Sequence, residues 1–162
     1  MWFLQEDSMN EQEIKEQLCD VCHKMWQLGW VAANDGNVSV KLEDGAFFAT
    51  PTGMSKSFIT PDKLVRINDK GEVLEAIKPY LQEHDVMLLQ NHGALTVGAD
   101  LITAYYRMET LELFAKISLN AHLLGGAQEI SRENIDRLCS MRAQYGVTGK
   151  PPGYKKYPNG QN

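Results

Sequence analysis

Apolar residues near the start of the chain recur every three or four positions, which is typical of a helix with one buried face. This spacing predicts a helix over residues 10–28, followed by Gly29 where a C-terminal cap belongs. The stripe consists of Ile14, Leu18, Val21, Cys22, Met25 and Trp26. We therefore expect this helix to pack on a sheet or on another helix.

Beyond residue 36 the pattern changes to short strands separated by turn signals. Two hairpins are predicted, with strands at 37–41 and 46–50, then at 64–68 and 72–74. Asp44-Gly45 is the turn signal of the first hairpin. Thr60-Pro61 predicts the capped start of a short helical turn between the hairpins.

The second half of the chain begins with an apolar run and continues with helical patterns. Residues 85–90 predict a buried strand that ends at a site, and residues 94–97 predict its neighbour. A long helix is expected from about Asp100 to about Leu124, and a last one from Ser131 to about Tyr145. The stripe of the long helix is Leu101, Ala104, Tyr105, Met108, Leu111, Ala115, Leu119 and His122.

Taken together, these elements predict an α/β (α+β) fold, a three-layer domain with a mainly antiparallel central sheet. A chain of 162 residues suits one domain, which we expect at 10–148. Residues 1–9 are then an N-terminal extension and residues 149–162 a flexible tail, in which Tyr154 and Tyr157 have no assigned role.

Charge and composition restrict the classes of function. A net charge of −5 argues against nucleic-acid binding through a basic surface, and no apolar run approaches a membrane span. No signal peptide is evident, and three cysteines form no disulfide framework, so we expect a cytoplasmic protein. Cys19 and Cys22 form a C-x-x-C pair, but their helical pattern favours packing over a redox or zinc role.

Two polar loops flank the first hairpin and are candidates for anion binding. Residues 34–39 contain the asparagine and glycine positions that let backbone amides converge on an anion. Residues 51–56 bring a hydroxyl, a glycine amide and Lys56 together, a combination that can hold a phosphate. If their strands are neighbours, the loops converge; if not, each is an ordinary connection.

His92 is the candidate metal ligand, because an imidazole at a strand end often holds a transition metal. A single histidine cannot hold a metal alone. His84 precedes the same strand, in an expected surface loop, while His23 and His122 lie on predicted helices. None of the three has a convincing ligand spacing relative to His92, so a structural histidine remains the alternative.

Three motifs in order carry a family resemblance. They are Gly-Asn-Val-Ser at 36–39, Thr-Pro-Thr-Gly-Met-Ser-Lys at 50–56 and Gln-Asn-His-Gly-Ala-Leu at 90–95. With them the chain resembles the class II aldolase/adducin family over roughly residues 10–148, especially bacterial L-fuculose-phosphate and related sugar-phosphate aldolases.

The resemblance implies a fold, a cofactor and a set of site residues. Such enzymes are usually homotetramers that bind zinc through three histidines, and His92 matches the third of these ligands. Asn37, Thr52 and Gly53 match positions that cradle the substrate phosphate, and Asn34 matches a loop position beside it.

The chain also departs from the family pattern. The family's Lys-Pro-Ser-Ser-Glu segment supplies phosphate-binding serines and the acid/base glutamate, and a His-x-His segment follows several dozen residues later. Here Lys78-Pro79 continues directly into Tyr80, so these groups have no counterpart. The simplest interpretation is an internal deletion joined at about Lys78–Tyr80, which leaves the catalytic residues unknown.

The predicted function follows from the family motifs that the chain keeps and the catalytic groups that it lacks. The resemblance implies zinc-dependent retro-aldol cleavage of a sugar phosphate such as L-fuculose 1-phosphate. With zinc binding expected to be weak or absent, we expect weak or no lyase activity. The alternative is a non-catalytic, adducin-like module that forms homo-oligomers.

Overall fold

The computed structural model describes residues 9–67, 78–81 and 84–146. Its helices are α1 (Glu11–Gln27), α2 (Lys78–Leu81), α3 (Leu101–Leu123) and α4 (Arg132–Met141). Its strands are β1 (Ser39–Lys41), β2 (Phe47–Ala49), β3 (Val65–Ile67), β4 (Val86–Leu89) and β5 (Gly93–Thr96). Two 3₁₀ turns, Lys56–Phe58 and Pro61–Lys63, connect β2 to β3. In the described part of the chain, no helix is long and apolar enough to cross a membrane.

Helix α1 forms where it was predicted and is capped at both ends, although Trp26 of its predicted stripe is 46% exposed. The Asn10 side chain accepts hydrogen bonds from the backbone of Gln12 and Glu13, and the Glu13 carboxylate accepts one from the Asn10 N–H. At the other end Gly29 has a φ of 71°, and the Trp30 N–H donates to the Met25 carbonyl at 3.0 Å.

The first hairpin also forms as predicted, within a three-stranded antiparallel sheet of order β1-β2-β3. Val40 faces Phe48 in β1–β2, and Phe48 faces Arg66 in β2–β3. The second predicted hairpin has its first strand in β3, while its expected partner, residues 72–74, lies outside the described residues. The short turn after Thr60 is present, although the Thr60 side chain makes no capping hydrogen bond to it.

Strands β4 and β5 form a separate antiparallel hairpin. The described strands thus lie in two small sheets, although the α+β class itself is confirmed. The expectation of a buried strand at 85–90 is wrong, because β4 is half-exposed and Leu88 is 77% exposed. The apolar run predicted a buried strand, but burial also requires another segment to cover it, and no described residue covers Leu88.

The core lies where α1, the first sheet and the start of α3 meet. Its buried residues from α1 are Ile14, Leu18, Cys19, Val21, Cys22 and Met25. Those from the sheet and the neighbouring loops are Val38, Val40, Leu42, Phe48, Ile59 and Leu64, and α3 adds Leu101, Ala104 and Tyr105. Burying these side chains is the main source of stability, at roughly 25 cal/mol for each Å² removed from water.

The predicted stripe of α3 is buried only over its first turns. Leu119 and His122 are exposed, so the placement of His122 on a packed stripe is wrong. The contacts divide the chain into two compact units, Met1–Phe114 and Ala115–Asn162. No residue described in the second unit is buried. Its helix α4 begins after Ser131, whose hydroxyl accepts from the Asn134 N–H at 3.3 Å.

Candidate functional site

The β1–β2 pairing continues beyond the strands toward the two candidate loops. The Thr50 N–H donates to the Val38 carbonyl at 3.0 Å, and the Val38 N–H donates to the Thr50 hydroxyl oxygen at 3.2 Å. The loop before Val38 (loop 32–37) and the loop after Thr50 (loop 51–55) therefore leave the same end of one hairpin. We expected the two loops to converge if the strands next to them were neighbours, and the pairing of β1 with β2 confirms that these strands are neighbours.

Loop 32–37 has an unusual backbone. Ala33 has a φ of 47° and Gly36 a φ of 72°, a left-handed region that L side chains rarely adopt. A Cβ at Gly36 would also lie 2.7 Å from Val31 Cγ1, so glycine is required there for space as well as for backbone angle. Asn34 and Asn37, two of the predicted phosphate ligands, are exposed on this loop.

Loop 51–55 supplies the other two predicted phosphate ligands. Thr52 and Gly53 are exposed, and Gly53 has a φ of 79°. The loop ends at Ser55, whose hydroxyl oxygen accepts from the Ser57 N–H at 3.3 Å and caps the first 3₁₀ turn. The four predicted residues thus occupy exposed positions at one end of the β1–β2 hairpin, and their role toward phosphate remains a prediction.

Lys56 departs from the sequence-based expectation. The sequence grouped it with the Thr52 hydroxyl and the Gly53 amide as groups that can hold a phosphate, but its side chain has no exposed surface. Its Nζ donates to the Met54 carbonyl at 3.3 Å. Burial lowers the pKa of Lys56, while Cys22 and the Asp35 carboxylate act in the opposite direction. Nothing in the sequence indicated that the Asp35 carboxylate acts on Lys56, because no fixed spacing links the two residues.

His92 lies in the turn between β4 and β5. Its N–H donates to the Leu89 carbonyl at 3.1 Å, and the turn passes through Asn91 and Gly93, with φ values of 58° and 119°. The imidazole belongs to an exposed residue, and His84 is also exposed. His92 therefore sits at a surface turn rather than at the rim of a buried strand.

The described residues do not fit a three-ligand zinc site. Within 9–67, 78–81 and 84–146, no three His, Cys, Asp or Glu side chains form a group that could hold a metal ion. Nε2 of His23 is 2.9 Å from the Ile59 carbonyl, a contact that serves packing. His92 is left as a predicted ligand without companions in this part of the chain.

The C-x-x-C pair behaves as the packing interpretation expects. Cys19 and Cys22 are both buried on α1. Burial, reinforced by the Asp62 and Glu16 carboxylates, raises the pKa of Cys19 to about 11. Burial also raises the pKa of Cys22 to about 12. Both groups are neutral thiols near neutral pH, which disfavours thiol exchange.

The fold and the sequence together define the class of protein. Residues 16–80 and 72–119 match the model of the class II aldolase and adducin N-terminal domain. These segments cover more than half of the chain, so the chain belongs to the class II aldolase and adducin family. The match consists of two segments that overlap at residues 72–80 rather than of one continuous segment.

Two relatives indicate the chemistry found within the family. A 3-oxo-tetronate 4-phosphate decarboxylase of Escherichia coli is 33% identical over 69 residues, which are 43% of this chain and 32% of the relative. The match thus spans about a third of that relative's length. An L-fuculose phosphate aldolase of Methanocaldococcus jannaschii is 23% identical over 173 residues, covering 65% of this chain and 95% of the relative.

A solved structure confirms the fold. The aldolase II superfamily protein from Pseudomonas syringae superimposes with a TM-score of 0.73 at 17% sequence identity. The superposition covers 94% of this chain and 91% of that protein. At this identity the likeness defines the fold alone.

Proposed function

We propose that loops 32–37 and 51–55 bind the phosphate of a phosphorylated sugar or sugar acid, and that the chain has little lyase activity of its own. The observation that carries this proposal is the Val38–Thr50 pairing, which brings both loops to one end of the hairpin. The names of both relatives also specify phosphorylated substrates.

The chemistry of the loops suits an anion without requiring a basic surface. Backbone N–H groups and hydroxyls can hold phosphate in concave turns, where positive φ values bring successive amides to one side. Positive φ occurs in both loops, at Ala33 and Gly36 and again at Gly53. A net charge of −5 is therefore compatible with phosphate binding at this end of the hairpin.

The low lyase activity follows from a proposed internal deletion near Lys78–Tyr80. The alignment with the archaeal aldolase spans 173 residues but includes only 65% of this chain, about 105 of its 162 residues. About 68 positions of that relative therefore align with no residue of this chain. The overlap of the two family-model segments falls at the same place. This supports the loss of the segment that carries two histidines and the acid/base glutamate in the family.

Direct binding measurements test the phosphate proposal. We expect calorimetry to detect inorganic phosphate and L-fuculose 1-phosphate, and Thr52→Ala to weaken both by about tenfold, because a hydrogen bond to a charged group is lost. Thr110→Ala is the matched control, since this hydroxyl donates to the Tyr106 carbonyl within α3. Absence of millimolar binding by the unaltered chain would contradict the proposal.

A separate assay tests the lyase activity. Metal catalysis contributes several kcal/mol to such a step, so its loss costs many decades of rate. We expect no cleavage of L-fuculose 1-phosphate with added zinc, and well under one zinc per chain after gel filtration. His92→Ala should change neither result. One retained zinc per chain together with turnover would show a complete lyase.

A second candidate function, self-association as a non-catalytic module, is favoured by the exposed apolar residues of the second unit. They are Ile117, Leu119, Leu123, Leu124, Ile130, Leu138 and Tyr145. At about 100° per residue, Ile117 and Leu124 lie on one side of their helical stretch and Leu119 and Leu123 on the other. Large apolar side chains exposed on two sides of a helix are normally covered by a partner.

Sedimentation velocity tests this second candidate. We expect an oligomer that Leu123→Glu dissociates, because a charge at a covered apolar contact is costly. Ser118→Glu, at an exposed polar position about 140° around the same helix from Leu123, is the matched control and should leave the oligomer intact. A monodisperse monomer at high concentration would rule the module out.

A further inference from the structure

Lys56 is an unusual residue for the interior of a protein. It has no exposed surface, and it is the largest of the fully buried side chains described. Removing an ammonium group from water is costly unless other groups compensate for it. A charge kept in such a position is a candidate for a functional role.

Groups from both candidate loops act on this charge. The Met54 carbonyl, in loop 51–55, accepts a hydrogen bond from Nζ at 3.3 Å. Burial lowers the pKa of Lys56, and the Asp35 carboxylate in loop 32–37 acts in the opposite direction. The lysine is therefore hydrogen-bonded to one candidate phosphate loop and attracted by a carboxylate of the other.

We propose that Lys56 is a positioning residue for phosphate, which fixes loop 51–55 through the Met54 carbonyl and makes the paired loops selective for doubly charged oxyanions. The identity of the ligand rests on the function proposed above. Because its side chain is fully buried, Lys56 does not touch the ligand. It acts through its hydrogen bond to the loop and through its charge.

Selectivity for charge follows from the burial. The energy of two charges scales with their product, and it is larger where water does not screen them. The electrostatic attraction between Lys56 and a doubly charged phosphate is thus about twice the attraction between Lys56 and a singly charged anion of the same size. A residue that only filled space would affect both anions equally.

The test compares two anions on three variants of the full chain. Phosphate at about pH 8, where it is mainly doubly charged, and nitrate are titrated while NMR follows the Asn37 and Gly53 amides. We expect Lys56→Met to weaken phosphate binding by about tenfold and nitrate binding by less, and Lys56→Arg to restore most of the preference. Lys63→Met, which removes an exposed lysine bonded to the Phe58 carbonyl, should change neither.

The outcomes separate this inference from the proposed function. An unchanged preference for phosphate in Lys56→Met would overturn the role of Lys56 and leave the binding loops in place. Failure of the unaltered chain to bind phosphate would overturn both. If Lys56→Met does not fold, titration of the Lys56 amine by ¹⁵N NMR in the unaltered chain decides. Bound phosphate must raise the pKa of Lys56, and an unmoved titration would overturn the inference.

Discussion

At the scale of single residues, loop 32–37 concentrates backbone strain. Ala33 and Gly36 both have positive φ, and Ala33 is neither glycine nor asparagine. Such conformations cost about 1–2 kcal/mol for a residue with a side chain and persist where the surrounding structure enforces them. Their position at the candidate phosphate site is consistent with a loop shaped for binding rather than for stability.

Substitution of Gly36 tests whether space or backbone angle limits this loop. Gly45→Ala, in the hairpin turn, should cost about 1–2 kcal/mol for positive φ alone, because nothing lies within 4 Å of the new Cβ. Gly36→Ala should cost at least about 1 kcal/mol more, because its Cβ meets Val31. Urea unfolding of both variants checks the difference, and equal costs would show that Val31 yields freely.

The cysteines allow a second test at this scale. Because the pKa values of Cys19 and Cys22 are raised to about 11 and about 12, their reactive thiolate forms are scarce near neutral pH. We expect iodoacetamide at about pH 8 to label only exposed Cys139 in the folded chain, and all three thiols in urea. Rapid labelling of Cys22 before unfolding would contradict its burial.

At the scale of elements, the β4–β5 hairpin is tied to α3 at one end. The Thr96 hydroxyl donates to the Ala104 carbonyl at 2.9 Å, and Arg107 Nη1 donates to the Val97 carbonyl at 2.5 Å. Arg107 also forms an ion pair with Asp85 at 2.9 Å. The turn with His92 projects from the opposite end, where the structure leaves it exposed.

Two variants separate these contributions. Asp85→Asn removes only the partly exposed ion pair and should cost less than about 1 kcal/mol. Arg107→Ala also removes the bond to Val97 and should cost about 1–2 kcal/mol. Faster hydrogen exchange at Leu95 and Thr96 in Arg107→Ala would locate the effect. Equal effects of the two variants would show that the Val97 bond contributes nothing.

The sequence predicted elements better than their surroundings. Caps and turn residues such as Asn10, Gly29 and Asp44-Gly45 act on the adjacent backbone, so local pattern was enough to place α1 and the first hairpin. Burial depends on what a distant segment covers. Leu18 and Leu88 were therefore both predicted to be buried, yet Leu18 is buried and Leu88 is exposed. The same limit concealed the burial of Lys56, which follows directly on loop 51–55.

At the scale of the whole chain, the two units differ in how much they bury. The core residues all belong to the first unit, while the described residues of the second include none that is buried. We expect hydrogen exchange to be slow across α1 and fast across α4, because local opening of an unburied helix costs little. Protection of α4 that increases with protein concentration would instead indicate self-association.

The hairpin that carries both loops is closed by bonds between nearby residues of one contiguous stretch, from Val38 to Thr50. A hairpin that is closed by such local bonds can be conserved during evolution while catalytic residues later in the sequence are replaced or lost. The relatives, one named a decarboxylase and the other an aldolase, carry different chemistry on related sequences. If loops 32–37 and 51–55 bind phosphate as proposed, grafting the unmatched archaeal stretch at Lys78–Tyr80 should confer lyase activity without any change to these loops.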